Sequence, residues 1–213
     1  MERKYIIFDL DDTLIYEIDF LKSAYREIAR LVSRNDANLY AKMFDLYSQG
    51  ENVFDFLTAE FPVFSKEELL TIYRNHFPTL TLNDGAEPIF NLCKSNNYKI
   101  GLITDGRSIT QRNKLKAVGI ESIFDKIIIS EEFGSSKPNK QNFLVFHQPD
   151  INSYFYIGDN PKKDFTAPNE LGWQTVCLLD KGNNVHKQNF DIEKKNLPNH
   201  KIHNLNELSN LIV

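Results

Sequence analysis

Five short apolar runs limit what this chain can fold into more than any other feature. They occupy residues 5–8, 99–103, 126–129, 154–157 and 175–179, the first reading Tyr5-Ile6-Ile7-Phe8 and the third Lys126-Ile127-Ile128-Ile129. Each is too brief for a stable helix, and four are rich in Ile, Phe or Tyr, as strands are. They are continuously apolar rather than alternating, which implies burial on both faces, as in a parallel sheet. Helical patterns between them imply βαβ units. The expectation is an α/β protein whose parallel sheet is flanked by helices.

Residues 16–81 break this rhythm. They hold no convincing strand. Phe20, Leu21, Ala24, Tyr25, Ile28, Leu31 and Val32 recur at helical spacing, and so do Leu39, Tyr40, Met43, Phe44 and Tyr47. Ser65-Lys66-Glu67-Glu68 is a capping box opening another helix. An all-helical block placed after the first strand reads as a separate small bundle. In the remainder, Ser108-Ile109-Thr110-Gln111 has capping-box spacing, Gly119 is a stop signal, and Pro88, Pro138 and Pro161 suit first helical turns. The tail from Lys181 is rich in Asn and Lys and reads as surface loop, with a short last helix marked by Leu205, Leu208 and Leu211.

Composition excludes several classes. The chain has 213 residues, 41% of them hydrophobic and 25% charged, with a formal net charge of −4. That is enough chain for a core without metal or disulfide staples. No basic face is legible, and the Lys162-Lys163 pair is too short to serve as one, so no nucleic-acid partner is expected. Cys93 and Cys177 both fall in apolar patterns and read as buried thiols. The first residues run straight into a strand with no leader pattern, and no apolar run is long enough to span a bilayer, so a cytoplasmic protein is expected.

Four polar clusters follow strand runs, where open parallel sheets gather their ligands. Phe8-Asp9-Leu10-Asp11-Asp12-Thr13 places two carboxylates two apart; close carboxylates repel and call for a cation or a shared proton. Ile103-Thr104-Asp105-Gly106 offers a hydroxyl and turn amides to phosphate oxygens, with the positive end of the Ser108 helix beyond. Ser135-Ser136-Lys137-Pro138 supplies a lysine, and Gly158-Asp159-Asn160-Pro161-Lys162-Lys163-Asp164 two more carboxylates around a tight turn.

In order, these clusters resemble the four motifs of the haloacid dehalogenase-like hydrolases, over residues 4–15 and 84–180. The resemblance implies a Rossmann-like core over 1–15 and 82–213, with residues 16–81 as a small α-helical cap. It further implies a phosphatase acting on a small phosphorylated metabolite, a sugar phosphate or a nucleoside monophosphate. Asp9 would be the nucleophile, forming an aspartyl-phosphate, and Asp11 the general acid and base. Mg²⁺ would be held by Asp9, the main-chain carbonyl of Asp11 and Asp159, with Asp164 behind them. Thr104, Asp105 and Lys137 would bind the substrate phosphate, Asp105 mainly through its backbone, and Lys137 would also pair with Asp9. A phosphomutase on the same scaffold, or a non-catalytic phospho-ligand-binding protein, are the competing readings. Asp12 reads as structural. Arg107, Gln49 and Asn52 are lesser candidates for substrate contact, and the His200/His203 spacing a lesser candidate for metal binding.

Overall fold

A computed structural model describes residues 2–213. The chain opens with strand β1 (Lys4–Phe8) and then forms four helices: α1 (Glu17–Val32), α2 (Asp36–Ser48), α3 (Val53–Glu60) and α4 (Lys66–Asn75). It returns through α5 (Ala86–Ser95) to β2 (Lys99–Thr104), α6 (Ser108–Ala117), β3 (Lys126–Ile129), α7 (Ser130–Phe133) and α8 (Gln141–Leu144). It continues with β4 (Ser153–Gly158), α9 (Thr166–Glu170), β5 (Gln174–Leu178) and β6 (His200–Ile202), and ends on α10 (Ser209–Ile212).

The strands form one parallel sheet in the order β3-β2-β1-β4-β5-β6. This is the Rossmann-like order. All five expected strands are present. Every residue of β1 is buried, and its side chains alternate between two cores. Ile6 and Phe8 join a cluster with Phe90, Leu102, Ile157 and Val176, whereas Tyr5 and Ile7 face Phe143, Phe146 and Trp173. A strand that alternates between two apolar layers must be apolar along its middle, and this is why residues 5–8 carry no charge, whereas Lys4 at the strand start turns its ammonium to the Ile212 carbonyl. The chain order reverses between β1 and β4: β1 leads outward on one side to β2 and β3, and β4 to β5 and β6 on the other. Their carboxyl ends therefore splay apart into a crevice.

The four inserted helices have an apolar cluster of their own, built from Leu21, Tyr25, Ile28, Leu39, Met43, Val53, Leu57 and Leu69. Leu31 lies off the buried stripe of α1 and is 49% exposed. Ser65 caps α4 as a full capping box with Glu68.

Several local expectations are corrected. The tail is not simple surface loop: it adds β6 to the sheet edge against Val176, Cys177 and Leu178. Three residues with one apolar side chain are too short to stand out by pattern. Ser108 does not cap α6; Arg107 holds that position, and the carboxylates of Glu131 and Glu132 receive the Ser108 N–H and hydroxyl instead. Pro138 and Pro161 lie in turns ahead of α8 and α9 rather than within them. Gly119, with a left-handed backbone, does follow the end of α6. No helix among the described residues is long and apolar enough to cross a membrane.

Candidate active site

Asp9 is the first residue past β1. Its N–H still donates to the Ile157 carbonyl at 2.8 Å, so the ladder to β4 carries it to the mouth of the crevice. The chain then tightens, with Leu14 N–H donating to the Leu10 carbonyl at 2.9 Å. Asp12 adopts a left-handed conformation (φ 56°) and spends both carboxylate oxygens on backbone: Oδ1 accepts from Glu17 N–H at 2.9 Å and Oδ2 from Val185 N–H at 3.0 Å. It ties the start of α1 to the tail, a structural role.

On the other side of the crevice, β4 ends at Gly158 and delivers Asp159. The following turn brings Asp164 back beneath it, where Oδ2 accepts from Asn160 N–H at 2.8 Å. A Cβ at position 158 would lie 2.6 Å from that same oxygen, so the turn requires glycine there. Carboxylate oxygens of Asp9, Asp159 and Asp164 all lie within 4.8 Å of one another, and all three residues are buried.

Lys137 sits beneath this cluster with no exposed side-chain surface. Its Nζ contacts Asp9 Oδ1 and Asp164 Oδ1, both at 2.8 Å, and donates to the Tyr156 hydroxyl at 3.0 Å. An ammonium has three N–H donors, so all are committed to protein groups. Asp105 positions this lysine by accepting from its main-chain N–H at 3.1 Å, and it also faces Lys163 Nζ at 3.4 Å. The Asp105 side chain thus serves the two lysines, a contact not expected from the sequence.

A cavity of about 90 Å³ opens above the cluster. Asp9, Asp11, Thr104 and Asp159 line it, and so do Glu17 and Lys163. The Asp11 carboxylate is held on the wall by α6: Lys114 Nζ donates to Oδ1 at 2.7 Å and Gln111 Nε2 to Oδ2 at 3.0 Å. Gln111 also donates to the Thr104 hydroxyl.

Charge is concentrated here against the cost of burial. Desolvation, opposed by Lys137, pushes the Asp9 carboxyl up to about 7. Desolvation together with Asp164 and Asp9 pushes Asp159 up to about 9. Burial of Lys137 opposes its charge, yet Asp164 and Asp9 outweigh this and hold it well above the usual lysine range. Glu17 is raised to about 7 by burial and by nearby Asp11.

These residues fit a hard divalent cation. Lys137 and Asn160 occupy both oxygens of Asp164, while Asn184 Nδ2 donates to Asp159 Oδ2 at 2.9 Å. Among the described residues, no hydrogen bond reaches Asp9 Oδ2 or Asp159 Oδ1. An all-oxygen donor set with excess buried negative charge is what Mg²⁺ favours.

The crevice therefore gathers Asp9, Asp11, Thr104, Asp105 and Asp159 around the cavity, with Lys137 and Asp164 underneath rather than on its wall. Sequence reasoning missed Glu17, Gln111, Lys114, Lys163, Asn184 and His186. The last two come from the tail: besides Asn184, His186 lines the cavity and Gln188 donates to the Asp159 carbonyl at 2.7 Å. Only Asp180 ahead of Asn183-Asn184, a turn former at a strand exit, hinted at a return toward the crevice. The lesser candidates lie elsewhere. Arg107 pairs with Glu131, Asn52 caps α3, and His200 is in β6.

Comparison with known proteins agrees with this architecture. The model of the haloacid dehalogenase-like hydrolase family matches residues 6–178. A glyceraldehyde 3-phosphate phosphatase of Methanocaldococcus jannaschii is 30% identical, over 98% of this chain and 96% of that protein. The pyrimidine 5'-nucleotidase YjjG of Escherichia coli is 36% identical over 44% of this chain and 43% of its own length. Among solved structures, a hydrolase of Geobacter sulfurreducens superposes with a TM-score of 0.66 at 16% identity, covering 99% of this chain and 97% of that one. The magnesium-bound YfnB of Bacillus subtilis gives 0.64 at 21%, covering 100% and 99%. With its four motifs converging at one crevice and the family match running from β1 to β5, this chain belongs to the haloacid dehalogenase-like hydrolases.

Proposed function

We propose that this protein is a Mg²⁺-dependent phosphomonoester hydrolase that works through an aspartyl-phosphate on Asp9 and acts on a small phosphorylated metabolite. One observation carries the reading: Asp9 sits between a buried lysine and two further carboxylates, facing a cavity that Thr104 and Lys163 also line.

Asp9 attacks phosphorus, the bond to the leaving oxygen breaks, and Asp11 gives that oxygen a proton. A water then attacks the aspartyl-phosphate, Asp11 takes its proton, and phosphate leaves with Asp9 regenerated. Lys137 keeps Asp9 oriented and offsets its charge. Thr104 and Lys163, both on the cavity wall, are placed to meet phosphate oxygens. Asp9, Asp159 and the main-chain carbonyl of Asp11 would hold the metal, with Asp164 orienting from behind. When bound, Mg²⁺ supplies positive charge to the carboxylates and to the transferring phosphoryl group. Residues 16–81 serve as a cap over the core of residues 1–15 and 82–213, which suits a substrate small enough to enclose. The near full-length likeness to the glyceraldehyde 3-phosphate phosphatase of Methanocaldococcus jannaschii favours a short sugar phosphate, with a nucleoside monophosphate second.

The test is a panel of glyceraldehyde 3-phosphate, hexose phosphates and pyrimidine nucleotides with Mg²⁺, assayed for inorganic phosphate. Asp9→Asn should lose about a thousandfold or more in rate, at about 1.4 kcal/mol per tenfold. An inert panel, or Asp9→Asn with full activity, would refute the proposal. Isomerised product without free phosphate would instead reveal a mutase, and binding without turnover a sensor.

A further inference from the structure

Helix α6 holds the Asp11 carboxylate with one row of side chains and the inserted helices with the neighbouring row. Gln111 and Lys114, one turn apart, take the two oxygens of Asp11 between them. Both are buried, at 1% and 3% exposure. A second row on the same helix holds the far end of the insert. Thr110 Oγ1 donates to the Arg74 carbonyl at 3.0 Å, and Asn113 Nδ2 to the carbonyls of Asn75 and His76 at 3.1 and 3.2 Å. Phe20 of α1 lies over the Lys114 ammonium, 4.4 Å from Nζ to the ring centroid.

A carboxylate free to rotate about two bonds is a poor proton donor to a fixed leaving oxygen, because transfer needs hydrogen-bond geometry. Two charge-assisted or amide donors on different oxygens remove that freedom. We propose that Gln111 and Lys114 are positioning residues for Asp11, and that α6, through Thr110, Asn113 and the Phe20–Lys114 contact, ties the seat of that proton donor to the inserted helices. This rests on the hydrolase reading above and adds to it a residue pair outside the four motifs. Lys114 acts through Asp11 and does not itself touch the reacting atoms.

Leaving-group dependence separates this role from a merely structural one. A dinitrophenolate departs without a proton, whereas an alkoxide needs one. With Lys114→Met, kcat on alkyl phosphates should fall about ten- to a hundredfold, a part of the roughly hundred- to ten-thousandfold that acid–base catalysis contributes, with KM little changed. The pre-steady-state burst of dinitrophenolate from 2,4-dinitrophenyl phosphate should slow less than about twofold, because that departure does not call on Asp11 as acid, whereas full turnover still needs it as base. Lys114→Arg should recover part of the alkyl-phosphate rate. Gln111→Met, which frees the other oxygen without changing charge, should show the same selective loss, and it decides the matter if Lys114→Met does not fold. Equal losses in alkyl-phosphate turnover and in the dinitrophenolate burst, or none in either, would overturn the proposal. Wild-type turnover together with inactive Asp9→Asn reports on the hydrolase reading separately, so the two can fail independently.

Discussion

Replacing Lys137 with methionine should be among the most damaging single changes in this protein. The side chain keeps its length and packing but loses a charge that sits 2.8 Å from two carboxylates with no exposed surface of its own. Breaking a buried pair by removing one partner costs about 3–5 kcal/mol, since the other partner is left charged and desolvated. For a chain of this size each kcal/mol lowers Tm by about 2–4 °C, so a fall of about 6–20 °C is expected. The surface pair Lys140–Glu170 is the control. It is shorter, at 2.6 Å, but half exposed, and Lys140→Met should cost less than about 1 kcal/mol. The loss at position 137 should also depend on pH. Burial already raises Asp9 to about 7, and without the ammonium its carboxyl takes a proton still more readily. At pH 5 that proton relieves much of the penalty, and the relief fades as pH rises. Urea unfolding of both variants and wild type, metal-free, at pH 5 and 8 measures this. A Lys137→Met loss below about 1 kcal/mol at pH 8 would refute the assignment of the buried triad.

Two further outcomes follow from the same cluster. Gly158→Ala would drive a methyl group to 2.6 Å from an Asp164 oxygen that Asn160 pins in place, beside one that Lys137 holds, and should destabilise by about 1–3 kcal/mol in chemical denaturation, with an unchanged midpoint contradicting the packing described. Asp9 and Asp159, raised to about 7 and about 9, keep protons in the fold that the unfolded chain releases near pH 4. Their contribution to stability is complete below that pH and is lost as pH rises through about 7 and 9, so metal-free stability should fall across this window. Mg²⁺ at a hundred times its Kd should restore about 2.7 kcal/mol; metal-free stability that rises from pH 5 to 9 would contradict the shifts.

The sheet and the motif residues were legible because each is a local signal. A strand buried on both faces must be apolar along its middle, so β1 to β5 appear as runs whatever lies around them. The motif carboxylates follow those runs directly, and a parallel sheet puts all strand ends at one edge. Asp12 was also readable as structural, since a carboxylate just past a strand and ahead of a helix commonly caps backbone.

What the chain alone could not announce is held by contacts remote in sequence. Lys137 lies 128 positions from Asp9, and its place beneath that carboxylate, with every donor occupied, follows from the path of the chain between β3 and β4. Asn184 reaches Asp159, and Val185 reaches Asp12, from a polar tail whose composition resembles any surface loop. Gln111 and Lys114 look like ordinary polar residues on a largely polar helix; only the packing of α6 against α4 turns them toward Asp11. Local hydrophobic pattern fixes which segments are buried, and so the layers of the fold. Which polar side chains meet inside those layers is decided by loop paths and helix rotation, to which pattern is blind.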